Sequence, residues 1–210
     1  ASYNTAVGYN ALTSNTTANH NTAVGKDALQ ASTTGTYNHA VGSNVLYANT
    51  TGSYNVAMGY AALNTSTTAD SNTAIGHQAG TAITTGADNT LLGANAGDAL
   101  TDADYNVAIG RHALGADTLG SRSTALGYAA LQVQNFTSAT DNYNVAVGFH
   151  AGYQVSTGTN NTFIGGLAGD ATTTGAGNVA VGYASLGANT TGQENVVVGR
   201  QALDANTTGS

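Results

Sequence analysis

Apolar and polar residues recur along this chain with a fixed spacing of 17 residues. Each repeat opens with Asn and continues with Thr or Val, a small residue, a branched or long apolar residue and then Gly. The opening position falls at residues 4, 21, 38, 55, 72, 89, 106, 123, 144, 161, 178 and 195, where Ser123 is the one residue that is not Asn. A short fixed period is the signature of a solenoid, in which each repeat forms one coil.

Numbering the repeat from 1 at the Asn to 17 assigns a role to each position. Position 4 is always apolar, from Val7 to Val198, and we expect it to face the interior. Position 3, usually Ala, then faces outwards, because side chains alternate along a strand. The invariant Gly at position 5 and its β-branched neighbours disfavour a helix. The pattern therefore predicts an all-β fold, a parallel β-solenoid of twelve coils of about 17 residues, with a second strand at positions 7–10.

Positions 9 and 12 vary together. Position 9 is Leu in eight repeats and Gly in four, and position 12 is apolar only in repeats where position 9 is Gly. The four Gly repeats pair Gly80 with Ile83, Gly97 with Leu100, Gly152 with Val155, and Gly169 with Thr172. Because an unfilled Leu-sized hole costs about 3 to 5 kcal/mol, we expect both positions to reach one interior pocket.

The opening Asn and the one irregular repeat give two further expectations. Stacked coils align the Asn side chains as a ladder of amides about 4.8 Å apart along the axis. The repeat that starts at Ser123 is four residues longer, and we expect the insertion near 134–137 to form a surface bulge that leaves the stack in register. We interpret residues 1–210 as a single repeat domain and, because both ends fall within a repeat, as a slice of a longer protein.

Composition narrows the classes of partner. Charged residues make up 7% of the chain and the net charge is −7. Only Lys26, Arg111, Arg122 and Arg200 are cationic, which disfavours nucleic-acid binding. No stretch approaches the roughly 18 consecutive apolar residues of a membrane helix, so we predict no membrane insertion. The absence of Cys fits an extracellular protein that folds without disulfides.

The thin interior predicts a partner. Each coil buries few large side chains, so further apolar surface must be covered elsewhere. The small residues at positions 3 and 5 form a smooth strip on which another copy can pack, and we expect a homotrimer or a filament of copies.

Repeats such as Asn55 to Gly59 and Asn144 to Gly148 resemble the head repeats of trimeric autotransporter adhesins. Asn4 to Leu12 and Asn49 to Gly52 are similar to the repeat shafts of phage tail-fibre and bacterial surface proteins. The resemblance implies a left-handed, trimeric β-roll that serves as a shaft or adhesive head on a virion or cell surface. An alternative is an adhesin whose coil surface itself binds a carbohydrate or protein receptor.

No constellation of residues indicates an enzyme, and we predict no catalytic residue and no cofactor. The five His residues occupy unrelated positions, apart from His112 and His150 at position 7. The candidate cation site consists of four acidic residues: Asp88, Asp98, Asp102 and Asp104. Calcium prefers several carboxylate and carbonyl oxygens, but this chemistry is not repeated in other coils, so we favour a plain acidic surface and predict no metal.

Two surface features remain open. Aromatic residues recur at position 6, namely Tyr9, Tyr60, Tyr128, Phe149 and Tyr183. They either contact a receptor or cover turns and contacts between chains. Thr doublets such as Thr33 and Thr34 suggest an ice-binding solenoid, but adjacent side chains cannot both face one plane, which disfavours that function.

Overall fold

The computed structural model describes all of residues 1–210 and contains only β structure. The strands are β1 (Thr5–Val7), β2 (Thr22–Val24), β3 (His39–Val41), β4 (Val56–Met58), β5 (Thr73–Ile75), β6 (Thr90–Leu92), β7 (Val107–Ile109), β8 (Gly120–Ser121), β9 (Thr124–Leu126), β10 (Thr140–Asp141), β11 (Val145–Val147), β12 (Thr162–Ile164), β13 (Val179–Val181) and β14 (Val196–Val198). All except β8 and β10 form one 12-stranded parallel sheet in chain order. Like positions lie opposite each other, as Thr5 opposite Thr22, which confirms the parallel β-solenoid.

Backbone hydrogen bonds join successive coils both inside and outside the sheet. The Thr5 N–H donates to the Asn21 carbonyl at 2.8 Å within the sheet, and the Leu12 N–H donates to the Ala28 carbonyl at 3.1 Å beyond it. These bonds run along the solenoid axis. Each coil is therefore held to the next around most of its circumference.

The predicted second strand at positions 7–10 is wrong, because this stretch forms turns. Position 7 and position 9 both have left-handed backbone, as in Asp27 (φ 56) and Leu29 (φ 50). A strand requires φ near −120°. Two left-handed residues separated by one residue instead reverse the chain within a few positions and close the coil.

The predicted orientation of the strand is also wrong. Position 3 is buried in every coil except the first, whereas position 4 faces outwards, with Met58 47% exposed and Leu92 43% exposed. The interior opposite the strand is occupied by the position 9 side chain. That leaves room for little more than the methyl group of Ala at position 3, and the larger side chain at position 4 lies outside.

The shared interior pocket of positions 9 and 12 is confirmed. Leu63 at position 9 and Ile83 at position 12 of the next coil are both fully buried in the same hydrophobic core. A Cβ atom at Gly80 would lie 3.0 Å from Cδ2 of Leu63 and 3.1 Å from Cδ1 of Ile83. The two positions therefore fill one column of space.

The repeat with Gly169 and Thr172 is explained by its position 3 residue, Phe163. A Cβ atom at Gly169 would lie 2.5 Å from the Phe163 ring, and one at Gly152 in the preceding coil would lie 2.9 Å from it. Leu91 lies between Gly80 and Gly97 in the same way. A large residue at position 3 thus fills the space left by the glycines at position 9 of two successive coils.

The Asn ladder is confirmed. Oδ1 of Asn38 accepts the backbone N–H of Asn55 at 3.0 Å and its Nδ2 at 3.1 Å. Nδ2 of Asn55 also donates to the Ala69 carbonyl of its own coil at 2.8 Å. Each buried amide therefore closes its own coil and joins it to the neighbouring coil.

The insertion leaves the stack in register, as predicted, but it is more than a surface bulge. Strands β9 and β11 pair directly across it. Gln134 is fully buried, and its Nε2 donates to Ser123 Oγ at 2.9 Å while its Oε1 accepts from Asn144 Nδ2 at 2.8 Å. Gln134 thus accepts a hydrogen bond from the Asn144 side-chain amide, and Asn142 Oδ1 accepts the Asn144 backbone N–H at 3.3 Å, so the two share the role of the missing Asn. Thr137 and Ser138 remain exposed.

Candidate binding surfaces

The outer face of the 12-stranded sheet carries no Asp, Glu, Lys or Arg. It is formed by the side chains at positions 2 and 4. Position 2 is Thr or Val in every coil except the third, where it is His39, and position 4 is Val, Ile, Leu or Met. The chain's four basic and eleven acidic residues all lie at other positions. We call this surface the sheet face. Its position 4 column combines exposure with apolar chemistry along the whole solenoid.

The sheet face is long and continuous. Twelve strands at a spacing of about 4.8 Å extend over roughly 53 Å. Monomeric proteins rarely expose contiguous apolar patches larger than a few hundred Å², and larger ones mark interaction sites. The side chains at position 4, such as Met58 and Leu92, have no covering element from their own chain.

The five predicted surface aromatics at position 6 are all exposed. Each follows the Gly at position 5, so together they line the edge of the sheet at the C-terminal ends of the strands. The structure brings two of them together, since the Tyr128 and Phe149 rings stack at 5.5 Å. Tyr60 stacks instead on His77 at 5.4 Å, and Arg200 lies over the Tyr183 ring at 5.9 Å. Tyr9 lies apart in the first coil and is 69% exposed.

A second aromatic column lies at position 17, before the strands. Tyr3, His20, Tyr37 and Tyr54 form a continuous stack, with successive ring centroids 4.8, 4.8 and 5.3 Å apart. Neighbouring rings cover each other's faces, so the column presents mainly ring edges to solvent.

Tyr128, Phe149, His150 and Tyr153 form the densest aromatic cluster. His150 stacks on Phe149 at 4.1 Å and on Tyr153 at 4.5 Å. Burial raises the pKa of the neighbouring Asp170 carboxyl. His112 meets only the edge of the Tyr128 ring, so the two position 7 histidines do not converge on one ligand.

The acidic residues of the candidate cation site are not brought together. Asp102 accepts hydrogen bonds from the hydroxyls of Thr85 and Thr84, and these lower the pKa of its carboxyl. Asp104 accepts from a backbone N–H, that of Ala87. Asp98 accepts from the Asn95 amide, and no group of three or more His, Asp or Glu residues is close enough to hold a metal ion. The carboxylates of Asp98, Asp102 and Asp104 are therefore bonded within the protein, whereas Asp88 contributes only its backbone N–H, which donates to the Asp70 carbonyl.

The Thr columns are likewise used within the protein. Thr33 Oγ1 donates to the Thr50 carbonyl at 3.1 Å, and Thr50 Oγ1 donates to the Thr67 carbonyl at 3.0 Å. These hydroxyls at position 13 join coil to coil. The hydroxyls of Thr33 and Thr50 are therefore already bonded within the protein, whereas those of Thr51 and Thr68 at position 14 are exposed.

One cavity opens on the surface, and sequence reasoning did not find it. It has a volume of about 330 Å³ and is lined by Asp27, Asn44, Tyr47 and Asn64. These residues occupy positions 7 and 10 of the second, third and fourth coils. The available signal was the run of polar residues at position 7 beside a Tyr at position 10.

Comparison with protein-family models, curated proteins and solved structures found no match to this chain. The structure contains no helix with the length and hydrophobicity that a membrane span requires.

Proposed function

We propose that this chain is a segment of a structural fibre, displayed on a virion or cell surface, in which three left-handed solenoids pack through their sheet faces around a common axis. The observation that carries the proposal is the sheet face, which carries no charged residue and has an apolar column at position 4 along its whole length. The number three and the handedness derive from the resemblance of the repeats to trimeric adhesin heads and fibre shafts. The contact surface differs from the strip of positions 3 and 5 that the sequence suggested.

Burial of the sheet face supplies stability that a single coil lacks. The interior of one coil holds one large side chain surrounded by alanines. In the second coil these are Leu29, Ala23 and Ala28. Burying a Val, Leu or Ile side chain fully contributes about 1.5 to 3 kcal/mol, so covering a half-exposed one contributes about 1 kcal/mol per coil. Because the coils are nearly identical, this gain repeats along the axis.

The composition of the sheet face fits a specific contact. Interfaces are depleted of charged residues at their cores and are enriched in aromatic residues relative to the rest of the surface. Here most side chains of the sheet face are β-branched, and the columns at positions 6 and 17, which contain several Tyr residues, line the two ends of the strands. An assembly of this kind would be stiff, since hydrogen bonds join each coil to the next.

The experiment is to measure the mass of the assembly by light scattering and native mass spectrometry. We expect three times the chain mass of 20.8 kDa. Replacing Met58, Leu92 and Ile164 with Lys should give a monomer with an unchanged circular dichroism spectrum, because these side chains are exposed in the single chain.

The matched control replaces Thr51, Thr68 and Thr191 with Lys. These residues are also exposed but lie at position 14, away from the sheet face, so the control should keep the mass of the wild type. A wild-type chain that stays at 20.8 kDa at all concentrations would refute the proposal. So would a sheet-face variant that associates as well as the wild type.

A further inference from the structure

We propose that the cavity lined by Asp27, Asn44, Tyr47 and Asn64 binds a neutral sugar residue of a glycan. Its volume of about 330 Å³ is within the range of small-molecule sites. The lining spans three successive coils, a distance of about 10 Å along the axis at the strand spacing. A short saccharide chain can lie along this length.

The cavity contains polar groups that the protein leaves free. The side-chain amide of Asn44 and the hydroxyl of Tyr47 make no hydrogen bond within the protein. Asn64 uses Nδ2 to donate to the Asn44 carbonyl at 2.9 Å, which leaves its Oδ1 free. Free donors and acceptors thus lie side by side, which suits hydroxyl groups because each hydroxyl both donates and accepts.

The charges of the cavity favour a neutral ligand. Asp27 is the one carboxylate in the lining, and it is already bonded to Asn10 Nδ2 at 3.1 Å and paired with Lys26 Nζ at 3.3 Å. Calcium prefers several carboxylate and carbonyl oxygens, and Lys26 further opposes a cation. An anion would meet the Asp27 carboxylate, and an apolar ligand would leave the free amides without partners.

Tyr47 supplies an apolar wall. Its side chain is 42% exposed beside the polar groups, so its ring can contact the C–H face of a sugar while Asn44 and Asn64 bond its hydroxyls. The inner rings of the position 17 stack, His20 and Tyr37, are covered on both faces and have no free face of this kind. The cavity differs from that stack because the Tyr47 ring lies beside polar groups that the protein leaves free.

The ninth coil shows why the cavity forms at one place. Tyr153 occupies the same repeat position as Tyr47, but its neighbour at position 7 is His150. The two rings stack at 4.5 Å and fill the corresponding space. In the third coil the smaller Asn44 takes the place of the His and leaves the space open.

The test is saturation-transfer difference NMR with a panel of neutral mono- and oligosaccharides built from glucose, galactose, mannose and N-acetylhexosamines. We expect signals from at least one member with the wild-type chain. In Tyr47→Gln and Asn44→Ala the binding should be about ten-fold weaker, as the loss of one strong contact implies. Both variants should fold, since Gln30 occupies position 10 and Ala61 occupies position 7 in neighbouring coils.

The matched control is Tyr153→Gln, which changes the same repeat position where no cavity exists and should bind as the wild type does. The proposal is overturned if no saccharide gives a signal, if Tyr47→Gln binds undiminished, or if Tyr153→Gln loses binding equally. It is also overturned if calcium alone binds and the saccharides do not. Positions 7 and 10 lie outside the sheet face, so these results are independent of the oligomeric state.

Discussion

Substitution of Phe163 tests whether a large residue at position 3 fills the space that Gly leaves at position 9. Phe163 fills the space beside two such glycines. It is fully buried, and its ring lies between Gly152 and Gly169. Phe163→Ala removes the ring where neither glycine has a side chain to take its place, so we expect a loss of about 3 to 5 kcal/mol in the free energy of unfolding. Gly169→Leu alone places a Cβ atom 2.5 Å from the ring and should cost about 1 to 3 kcal/mol or more through overpacking.

The two changes together should largely cancel. Phe163→Ala with Gly169→Leu gives the tenth coil Ala at position 3, Leu at position 9 and the polar Thr172 at position 12. Seven of the eight Leu coils have this pattern, and the twelfth has Val197 at position 3. Leu131 shows that Leu adopts the required backbone, with φ 51 against φ 58 at Gly169. The double variant should lose only about 1 to 2 kcal/mol, the cost of a left-handed residue other than Gly. The coupling between the two sites is then about 3 kcal/mol or more.

The assay is urea unfolding at one protein concentration, with amide hydrogen exchange in the ninth to eleventh coils to report the local free energy of opening. The control combines Phe163→Ala with Gly80→Leu, whose Cβ atom would lie 2.7 Å from Leu91 in a distant coil. Its two losses should add. The packing argument is refuted if the Gly169 double variant is as unstable as the sum of its single variants, or if the control is rescued equally.

Two further predictions concern the backbone and pH. Gly110 and Gly199 share φ near 130°, but a Cβ atom at Gly110 would lie 2.3 Å from the Gly127 carbonyl oxygen, whereas one at Gly199 would meet nothing closer than 3.6 Å. Gly110→Ala should therefore lower the urea midpoint far more than Gly199→Ala, and equal effects would contradict this steric explanation. Burial raises the pKa of Asp170, so its ionised form opposes folding above the ordinary carboxyl pKa of 3.8, and this cost vanishes as the pH falls below that value. Asp170→Asn should raise the urea midpoint at neutral pH and have no effect at acid pH, and a decrease at neutral pH would contradict the assigned cause.

The period and the shared interior pocket could be predicted from sequence because a solenoid places like residues above one another. The exchange between Leu63 and Ile83 follows from the volume of one pocket, and that volume is visible in the residue types alone. The Asn ladder follows from the same stacking. The turns at positions 7–10 were not predictable in this way, because Leu gives no sign that its backbone is left-handed.

The cavity could not be predicted because it depends on the relative sizes of side chains from three coils. Asn44 and His150 occupy the same repeat position, and only the smaller residue leaves room beside a Tyr at position 10. Repeat position alone does not show whether a cavity forms beside the Tyr. That depends on how far the position 7 side chain fills the space next to the Tyr ring.

The sequence does indicate that position 3 faces inwards and position 4 outwards, but only through the repeats in which position 3 is Leu or Phe. Leu91 and Phe163 occupy position 3 only in repeats where position 9 is Gly, which indicates that position 3 faces position 9 across the interior. The rule that large apolar residues lie inside fails here because, in coils with Leu at position 9, the interior next to the strand has room for little more than a methyl group. Large apolar residues at position 4 therefore lie on the surface, and an apolar column retained on a surface without charges is best explained by a partner that covers it.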